Sequence, residues 1–189
     1  LKPPDTACLI QRSKETGRVY SPYAKEQHEK VFCYSKGWAG SLQLYDYHRD
    51  ILHPNSNLIY EIPSLNAYSG ISPLWSTELI GDHLPRGMIY ELAQMKPNVP
   101  EAFFNWLEAL SVRWLIMAAP FETDRVSYVG GTPNANVYRL NQTLPRARFV
   151  ERARVVPSSE ELLRCWLNGS SDPRRQAALQ TAEGLGRAE

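Results

Sequence analysis

Apolar residues recur at helical spacing in two stretches of the chain. The first begins after Gly40 and should end before His53-Pro54, because the residue preceding a proline is pushed out of the helical region. The second follows Asn98, which stands three residues before Glu101 in the spacing of a capping box. The recurring residues are Leu42, Leu44, Tyr45, His48, Ile51 and Leu52 in the first stretch, and Phe103, Leu107 and Leu110 in the second.

Shorter signals predict further helices. Serine-proline pairs, which suit the first turn of a helix, indicate helices over 22–31 and 73–80. Further helices are predicted over 88–95 and 158–169. Before all of these, Lys2-Pro3-Pro4 predicts an extended or turn start to the chain.

Continuous and β-rich apolar runs predict the strands. The run Val112–Met117 follows the second helix directly, which favours a strand in the middle of a sheet with both faces covered. Its one charge, Arg113, is expected at the strand start, where it can reach solvent or a carboxylate. Brief strands are predicted over 18–20 and 58–62.

The second half of the chain turns to β structure. Residues 125–129 and 136–140 flank a turn-rich loop and predict a hairpin, in which Gly130-Gly131 favours a turn over a phosphate cradle. Residues 148–156 carry charges on no single face, which suits an edge strand.

These elements together predict an α/β fold: a mixed β-sheet flanked by helices, with a helix-rich first half and a β-hairpin plus edge strand in the second. An α+β arrangement is the alternative. The whole is expected to form one domain over 1–171, followed by a polar, frayed tail over 172–189.

Composition excludes several classes of protein. Hydrophobic residues make up 43% of the 189 positions and the net charge is +1, so a buried core is expected and no basic stripe indicates a nucleic-acid partner. The most apolar stretch, 107–121, contains two charges and is shorter than the ~20 residues of a membrane span. A start at Leu1 without methionine predicts a piece of a larger protein.

The cysteines and histidines give no strong site. Cys8, Cys33 and Cys165 are interpreted as free thiols, with a Cys8–Cys33 bridge as the alternative. Asp46, His48, Asp50 and His53 are close enough in sequence for a metal, yet on a helix Asp46 and Asp50 share a face that His48 does not. A solvated, charged helix is the better interpretation. No metal, cofactor or catalytic residue is therefore predicted.

Aromatic residues are unusually frequent, with five Trp and ten Tyr. Rings beside asparagine amides are a common way to bind sugars, although core packing explains most such rings. Arg146 follows Pro145 in a turn and could bind a carboxylate or phosphate, or form an ion pair that fixes the corner between two strands. The candidate ligand-binding residues are Asn55, Asn57, Tyr60, Tyr68, Trp75 and Arg146.

An ordered set of short motifs resembles the extracytoplasmic portion of YfhO-like bacterial membrane proteins, relatives of the polytopic glycosyltransferases that use lipid-linked sugars. Ser111 and Trp114 stand where the family pattern has Gly and Tyr, and Ala67-Tyr68-Ser69 replaces its Gly-Tyr-Asp, which removes a carboxylate. The motifs are Gly17-Arg18-Val19-Tyr20, His53-Pro54-Asn55, Tyr68-Ser69-Gly70, Leu110-Ser111-Val112-Arg113-Trp114-Leu115-Ile116, Val137-Tyr138, Leu144-Pro145-Arg146-Ala147, Phe149-Val150 and Asp172-Pro173-Arg174.

The resemblance implies a soluble domain on the extracytoplasmic side of the cell membrane. Its implied partners are the membrane-embedded portion of its own chain and a glycan or lipid-linked sugar. The predicted function is non-catalytic: assisting lipid-linked sugar transfer by binding the glycan or acceptor. A structural or protein-interaction domain is the alternative, followed by a free-standing hydrolase.

Overall fold

The computed structural model describes residues 2–22, 42–52, 56–65, 101–118, 120, 122–158, 161–162, 164–165 and 170–179. The helices predicted over 73–80 and 88–95, and that over 22–31 beyond residue 22, lie outside these ranges. The described helices are α1 (Asp5–Ser13), α2 (Leu42–Asp50), α3 (Ser56–Ile59) and α4 (Glu101–Ala109). The strands are β1 (Arg18–Tyr20), β2 (Val112–Met117), β3 (Val126–Gly131), β4 (Asn136–Leu140), β5 (Arg152–Val155) and β6 (Gln176–Leu179).

Four strands form a mixed sheet in the order β1-β2-β4-β3. Strands β1 and β2 run parallel, whereas β4 is antiparallel to both β2 and β3. The predicted mixed sheet, the hairpin and the interior position of the 112–117 strand are confirmed. Helices accompany the sheet, so the α/β prediction is also confirmed.

Both faces of the sheet are covered. Successive side chains of β2 point to opposite faces and enter two different hydrophobic clusters. Leu115 and Met117 enter a cluster with Phe103 and Trp106 of α4. Trp114 and Ile116 enter a second cluster on the opposite face, together with Ala7 and Ile10 of α1 and the turn after α2. The sheet therefore lies between two helical layers. Each fully buried side chain of this size stabilises the fold by roughly 1.5–3 kcal/mol.

Helix α4 was predicted correctly because its apolar face is unambiguous: Phe103, Trp106 and Leu107 are wholly buried. The capping residue proposed for it, Asn98, lies outside the described residues. Two residues after the helix ends at Ala109, the amide of Ser111 donates to the carbonyl of Glu108 at 3.0 Å, and Ser111 has a φ of 61°. This left-handed conformation is the one that favours glycine at a helix C-terminus.

Replacing Ser111 by Gly is expected to raise the free energy of unfolding by about 1 kcal/mol, because glycine adopts a positive φ without steric cost. Urea denaturation measures the change. The matched substitution Ser127→Gly, in extended strand β3, should lower stability instead. If the Ser111→Gly protein loses as much stability as the Ser127→Gly protein, the backbone of Ser111 is not strained.

Strands β1 and β2 are joined across an irregular register. Arg18 pairs with Val112 and Val19 with Trp114, so Arg113 is the extra residue of a bulge. A Cβ atom added to Gly17 would lie only 2.2 Å from the Cβ of Arg113. The close approach of the two backbone segments at Gly17 and Arg113 requires glycine at position 17.

The extended start predicted at Lys2-Pro3-Pro4 agrees with the extended conformation of Pro4 (φ −64°, ψ 154°), but the helix that follows was not predicted and one predicted strand was wrong. Residues 5–13 are helical, because the buried positions Thr6, Ala7 and Ile10 share one helix face. Residues 58–62 are not a strand: they contain the end of α3 and a turn. The amide of Asn57 closes that turn by donating from Nδ2 to the carbonyl of Ile62 at 2.6 Å, which outweighs the β propensity of the run.

The expected edge strand over 148–156 is only partly correct. Its strand is β5, which pairs in parallel with β6 in a separate two-stranded sheet. Strand β6 lies within 172–179, which the sequence assigned to a frayed tail; the carbonyl of Leu179 accepts a hydrogen bond from Val156 at 2.7 Å. Small residues such as Ala177 conceal this pairing because they carry little β signal. The domain boundary at 171 stays a prediction.

The remaining expectations concern helices, thiols and membrane spans. Ser158 accepts a hydrogen bond from the amide of Glu161 at 3.2 Å, as predicted for the start of the last helix. Cys8 and Cys165 are free thiols, and Cys33 lies outside the described residues. Within the described ranges, no helix has both the length and the apolar character required to cross a bilayer.

Candidate functional site

The three predicted ligand-binding residues that the structure describes, Asn57, Tyr60 and Arg146, do not form one surface. Asn57 is buried and its amide closes the turn after α3. Tyr60 is also buried, in the cluster between the sheet and α1. Asn55, Tyr68 and Trp75 lie outside the described residues. Of the predicted set, only Arg146 is described and exposed.

The histidine of α2 is buried rather than solvated, which corrects the interpretation of this helix as a solvated, charged one. The ring of His48 lies edge-on to that of Tyr47, 6.3 Å away. Asp46 pairs with Arg49 at 3.6 Å, and Asp50 accepts a hydrogen bond from Asn134 at 2.9 Å. Among the residues that the structure describes, no three His, Cys, Asp or Glu side chains are grouped to hold a metal.

The most extensive polar cluster of the described residues centres on Glu108. Glu101, Asn105 and Glu108 recur every three or four positions along one face of α4. Arg125, which precedes β3, donates to Glu108 at 2.5 Å and to Asn105 at 3.4 Å, and also pairs with Glu101. Its guanidinium carbon lies 5.5 Å from the centre of the Phe104 ring.

A second arginine completes the cluster from the other side. Arg174, just before β6, approaches the second carboxylate oxygen of Glu108 at 3.3 Å and also contacts Gln142. Burial lowers the pKa of Arg125, but the hydrogen bond and charge of Glu108 outweigh it and the net pKa is raised. Glu108 thus joins α4 to both sheets. Its oxygens are engaged in holding the fold together.

This cluster was not among the sites expected from the sequence. Its signal is the polar stripe of α4, with Glu101, Asn105 and Glu108 on one helix face. A charged residue inside an apolar helix is costly unless paired. That rule points to a buried ion pair at Glu108, although it does not identify Arg125 and Arg174 as the partners.

A second cluster lies at the end of the sheet where β1 and β2 begin. Glu15 pairs with Arg113 at 3.4 Å and with Arg139 at 3.0 Å. Arg113 also donates from Nη1 to the carbonyl of Leu140 at 3.0 Å. The expectation that Arg113 reaches a carboxylate is therefore confirmed.

Two further arginines, Arg18 and Arg146, belong to segments that reach the C-terminal end of α4; the amide of Leu144, two residues before Arg146, donates to the carbonyl of Glu108 at 3.2 Å. Arg18 donates from Nη1 to the carbonyl of Leu110 at 3.2 Å. Burial lowers the pKa of Arg18, and the positive charge of nearby Arg146 lowers that pKa further. Within the described ranges, neither arginine forms an ion pair, so the predicted ion pair at the Arg146 corner is not formed there.

No family model, curated protein or solved structure matches this chain.

Arg18 and Arg146, which form no ion pair with the described residues, have the chemistry required to bind an oxyanion. Two guanidinium groups near one another repel, and an anion between them would relieve that repulsion. Each guanidinium can donate two parallel hydrogen bonds to a carboxylate or phosphate. By contrast, the arginines at Glu15 and Glu108 already have carboxylate partners.

Proposed function

We propose that this chain is a non-catalytic domain that binds an anionic glycan or lipid-linked sugar through Arg18 and Arg146. The observation that carries the proposal is that both segments reach the C-terminal end of α4, where Arg18 donates to the carbonyl of Leu110 and the amide of Leu144 donates to the carbonyl of Glu108, and that neither Arg18 nor Arg146 forms an ion pair with the described residues. Phosphate or carboxylate oxygens are the complementary ligand groups. Arg146 is exposed and free to reach such a ligand.

Only the sequence resemblance supports a YfhO-like parent protein. A YfhO-like parent would place the domain on the extracytoplasmic side of a bacterial cell membrane, next to its membrane-embedded portion. Lipid-linked sugars carry phosphate groups, which fit an arginine pair. Asn55, Tyr68 and Trp75 remain proposed contacts for the sugar rings, whereas Asn57 and Tyr60 support the fold around α3.

The test is a titration of the whole chain with glucose 1-phosphate, followed by NMR of the backbone and arginine side chains. Saturable shifts at Arg18 and Arg146 are expected, with none for uncharged glucose at the same positions. Replacing Arg146 by Ala should weaken binding roughly tenfold or more, since a hydrogen bond to a charged group contributes about 1.5–3 kcal/mol.

The control is Arg12→Ala, which removes an exposed arginine at the end of α1. That protein should bind as the unmodified chain does. Equal losses of glucose 1-phosphate binding in the Arg12→Ala and Arg146→Ala proteins would show that binding depends only on overall charge. An absence of saturable shifts would reject the ligand-binding function. The domain would then be a structural or protein-interaction unit, for which the exposed Leu58 and Ile59 of α3 are candidate contacts.

A further inference from the structure

The described residues between positions 145 and 179 form a small lobe that contains β5 and β6. Bonds between its own segments organise this lobe. The amide of Arg152 donates to the carbonyl of Arg175 at 3.2 Å, and the amide of Val156 donates to that of Leu179 at 2.7 Å. The parallel pairing of β5 with β6 lies between these two bonds.

The small lobe takes no part in the hydrophobic core of the main sheet. Neither of the two clusters of buried apolar residues around that sheet includes a described residue beyond Leu140, at the end of β4. Strand β5 is exposed along its whole length. Two parts of a chain are expected to move relative to each other unless a large apolar interface joins them.

Arg174, in the turn before β6, connects the small lobe to α4. It donates from Nη2 to Oε2 of Glu108 at 3.3 Å and also contacts Oε1 of Gln142. Of the ion pairs between described residues, this is the one that crosses from the small lobe to the rest of the fold. Because the Arg174 side chain is half-exposed, water can replace the carboxylate at little cost.

Glu108 keeps a partner when Arg174 leaves. Arg125 donates to the other carboxylate oxygen, Oε1, at 2.5 Å, and it belongs to the main sheet side of the fold. A buried carboxylate with no partner would carry a large penalty. The contact between the small lobe and α4 can therefore open without leaving an uncompensated buried charge.

The connection into the small lobe is short and exposed. The amide of Leu144 donates to the carbonyl of Glu108 at 3.2 Å, which fixes the chain to α4 up to this point. Arg148 already belongs to the small lobe, because its Nε donates to the carbonyl of Pro173 at 2.9 Å. Residues 145–147, which lie between these two anchors, are all exposed.

We propose that the small lobe is hinged at residues 145–147 and is held against α4 by the ion pair of Arg174 with Glu108, which opens and closes while both parts stay folded. Arg146 lies in this hinge, so opening changes its position relative to Arg18 in β1. The ion pair thereby controls how well the two arginines can bind one anion. This last consequence rests on the function proposed above, whereas the hinge itself does not.

The experiment measures residual dipolar couplings of the whole chain by NMR, in a stretched polyacrylamide gel. In the unmodified chain, the backbone amides of β2, β4, β5 and β6 should fit one alignment tensor. In the Arg174→Ala protein, the alignment of β5 and β6 should fall at least about twofold relative to that of β2 and β4, because the two parts then reorient independently. Added salt should lower it in the same direction in the unmodified chain, since salt screens a half-exposed ion pair.

Arg175→Ala is the matched control. Arg175 is the neighbouring arginine, and it pairs at 3.8 Å with Glu151 inside the small lobe. Its removal subtracts the same charge and should leave the relative alignment of the two sheets unchanged. An unchanged alignment in the Arg174→Ala protein, or an equal fall in the Arg175→Ala protein, would overturn the proposal. So would separate tensors for the two sheets in the unmodified chain, because the ion pair would then not hold the lobe.

A titration with glucose 1-phosphate separates the hinge from the function that it would control. The Arg174→Ala protein should bind this ligand about two to five times more weakly than the Arg175→Ala protein, the equivalent of one half-exposed ion pair. Equal binding by the two proteins would reject the link between the ion pair and the anion site. An unmodified chain that does not bind would reject the function proposed for Arg18 and Arg146, and the dipolar couplings alone would then decide the hinge.

Discussion

Replacing Glu108 by Gln should lower the free energy of unfolding by about 3 kcal/mol or more, since breaking a buried ion pair by removing one partner costs about 3–5 kcal/mol. The Glu108 side chain is 8% exposed and holds Arg125, which is 21% exposed. Glutamine preserves the shape but leaves Arg125 half-buried beside a neutral group. Arg174 is 49% exposed and can regain water, which keeps the loss near the lower end of the range.

The control for Glu108 is built into the same helix. Glu101 also pairs with Arg125 but is 68% exposed, so Glu101→Gln should cost less than about 1 kcal/mol. Urea denaturation of both proteins measures the difference. Double-mutant cycles should give a stronger coupling of Glu108 with Arg125 than with Arg174. Equal costs for the Glu101 and Glu108 substitutions would show that burial does not strengthen the cluster.

The elements that the sequence predicted correctly are those whose burial follows one clear period. Strand β2 is buried on both faces, so its apolar run is continuous. Helix α4 has one wholly buried face, and its i, i+4 spacing is visible without the structure. In both elements the hydrophobic term dominates over local conformational preferences.

The failures occurred where short-range hydrogen bonds or small residues decide the structure. Asn57 closes a turn that overrides the β-rich sequence after it. Strand β6 is made of Gln176, Ala177, Ala178 and Leu179, which show little β preference, and its pairing with β5 depends on a contact that is distant along the chain.

Of the two arginines in the proposed site, the sequence pointed to one. Arg146 could be singled out because its proline turn and guanidinium chemistry are local properties of the sequence. Arg18 could not, because the effect of the Arg146 charge on its pKa arises only in the folded protein, between residues 128 positions apart in the sequence. The role of Tyr60 was likewise hidden, since a buried ring and a sugar-binding ring have the same sequence signal.

Replacing Gly17 by Ala should destabilise the fold by about 2–4 kcal/mol, the sum of backbone strain and overpacking. Gly17 has φ +154°, and an added Cβ would lie 2.2 Å from the Cβ of Arg113 and 3.4 Å from its Cα. Arg113 cannot retreat easily, because its side chain is tied to Glu15 and to the carbonyl of Leu140. The expected result is separation of β1 from β2 at the bulge.

Gly130→Ala separates the two contributions to this loss. Gly130 has nearly the same φ, +157°, but the nearest atom to its added Cβ is Cδ1 of Leu9 at 3.1 Å, the end of a flexible side chain. Gly130→Ala should therefore show the backbone strain with little of the clash, and cost less than Gly17→Ala in urea denaturation. In the Gly17→Ala background, Arg113→Ala keeps the clashing Cβ and should not restore stability. Recovery of stability in that double variant would place the steric clash in the outer part of the arginine side chain. It would also show that the distance between the two Cβ atoms does not determine which residue fits at position 17.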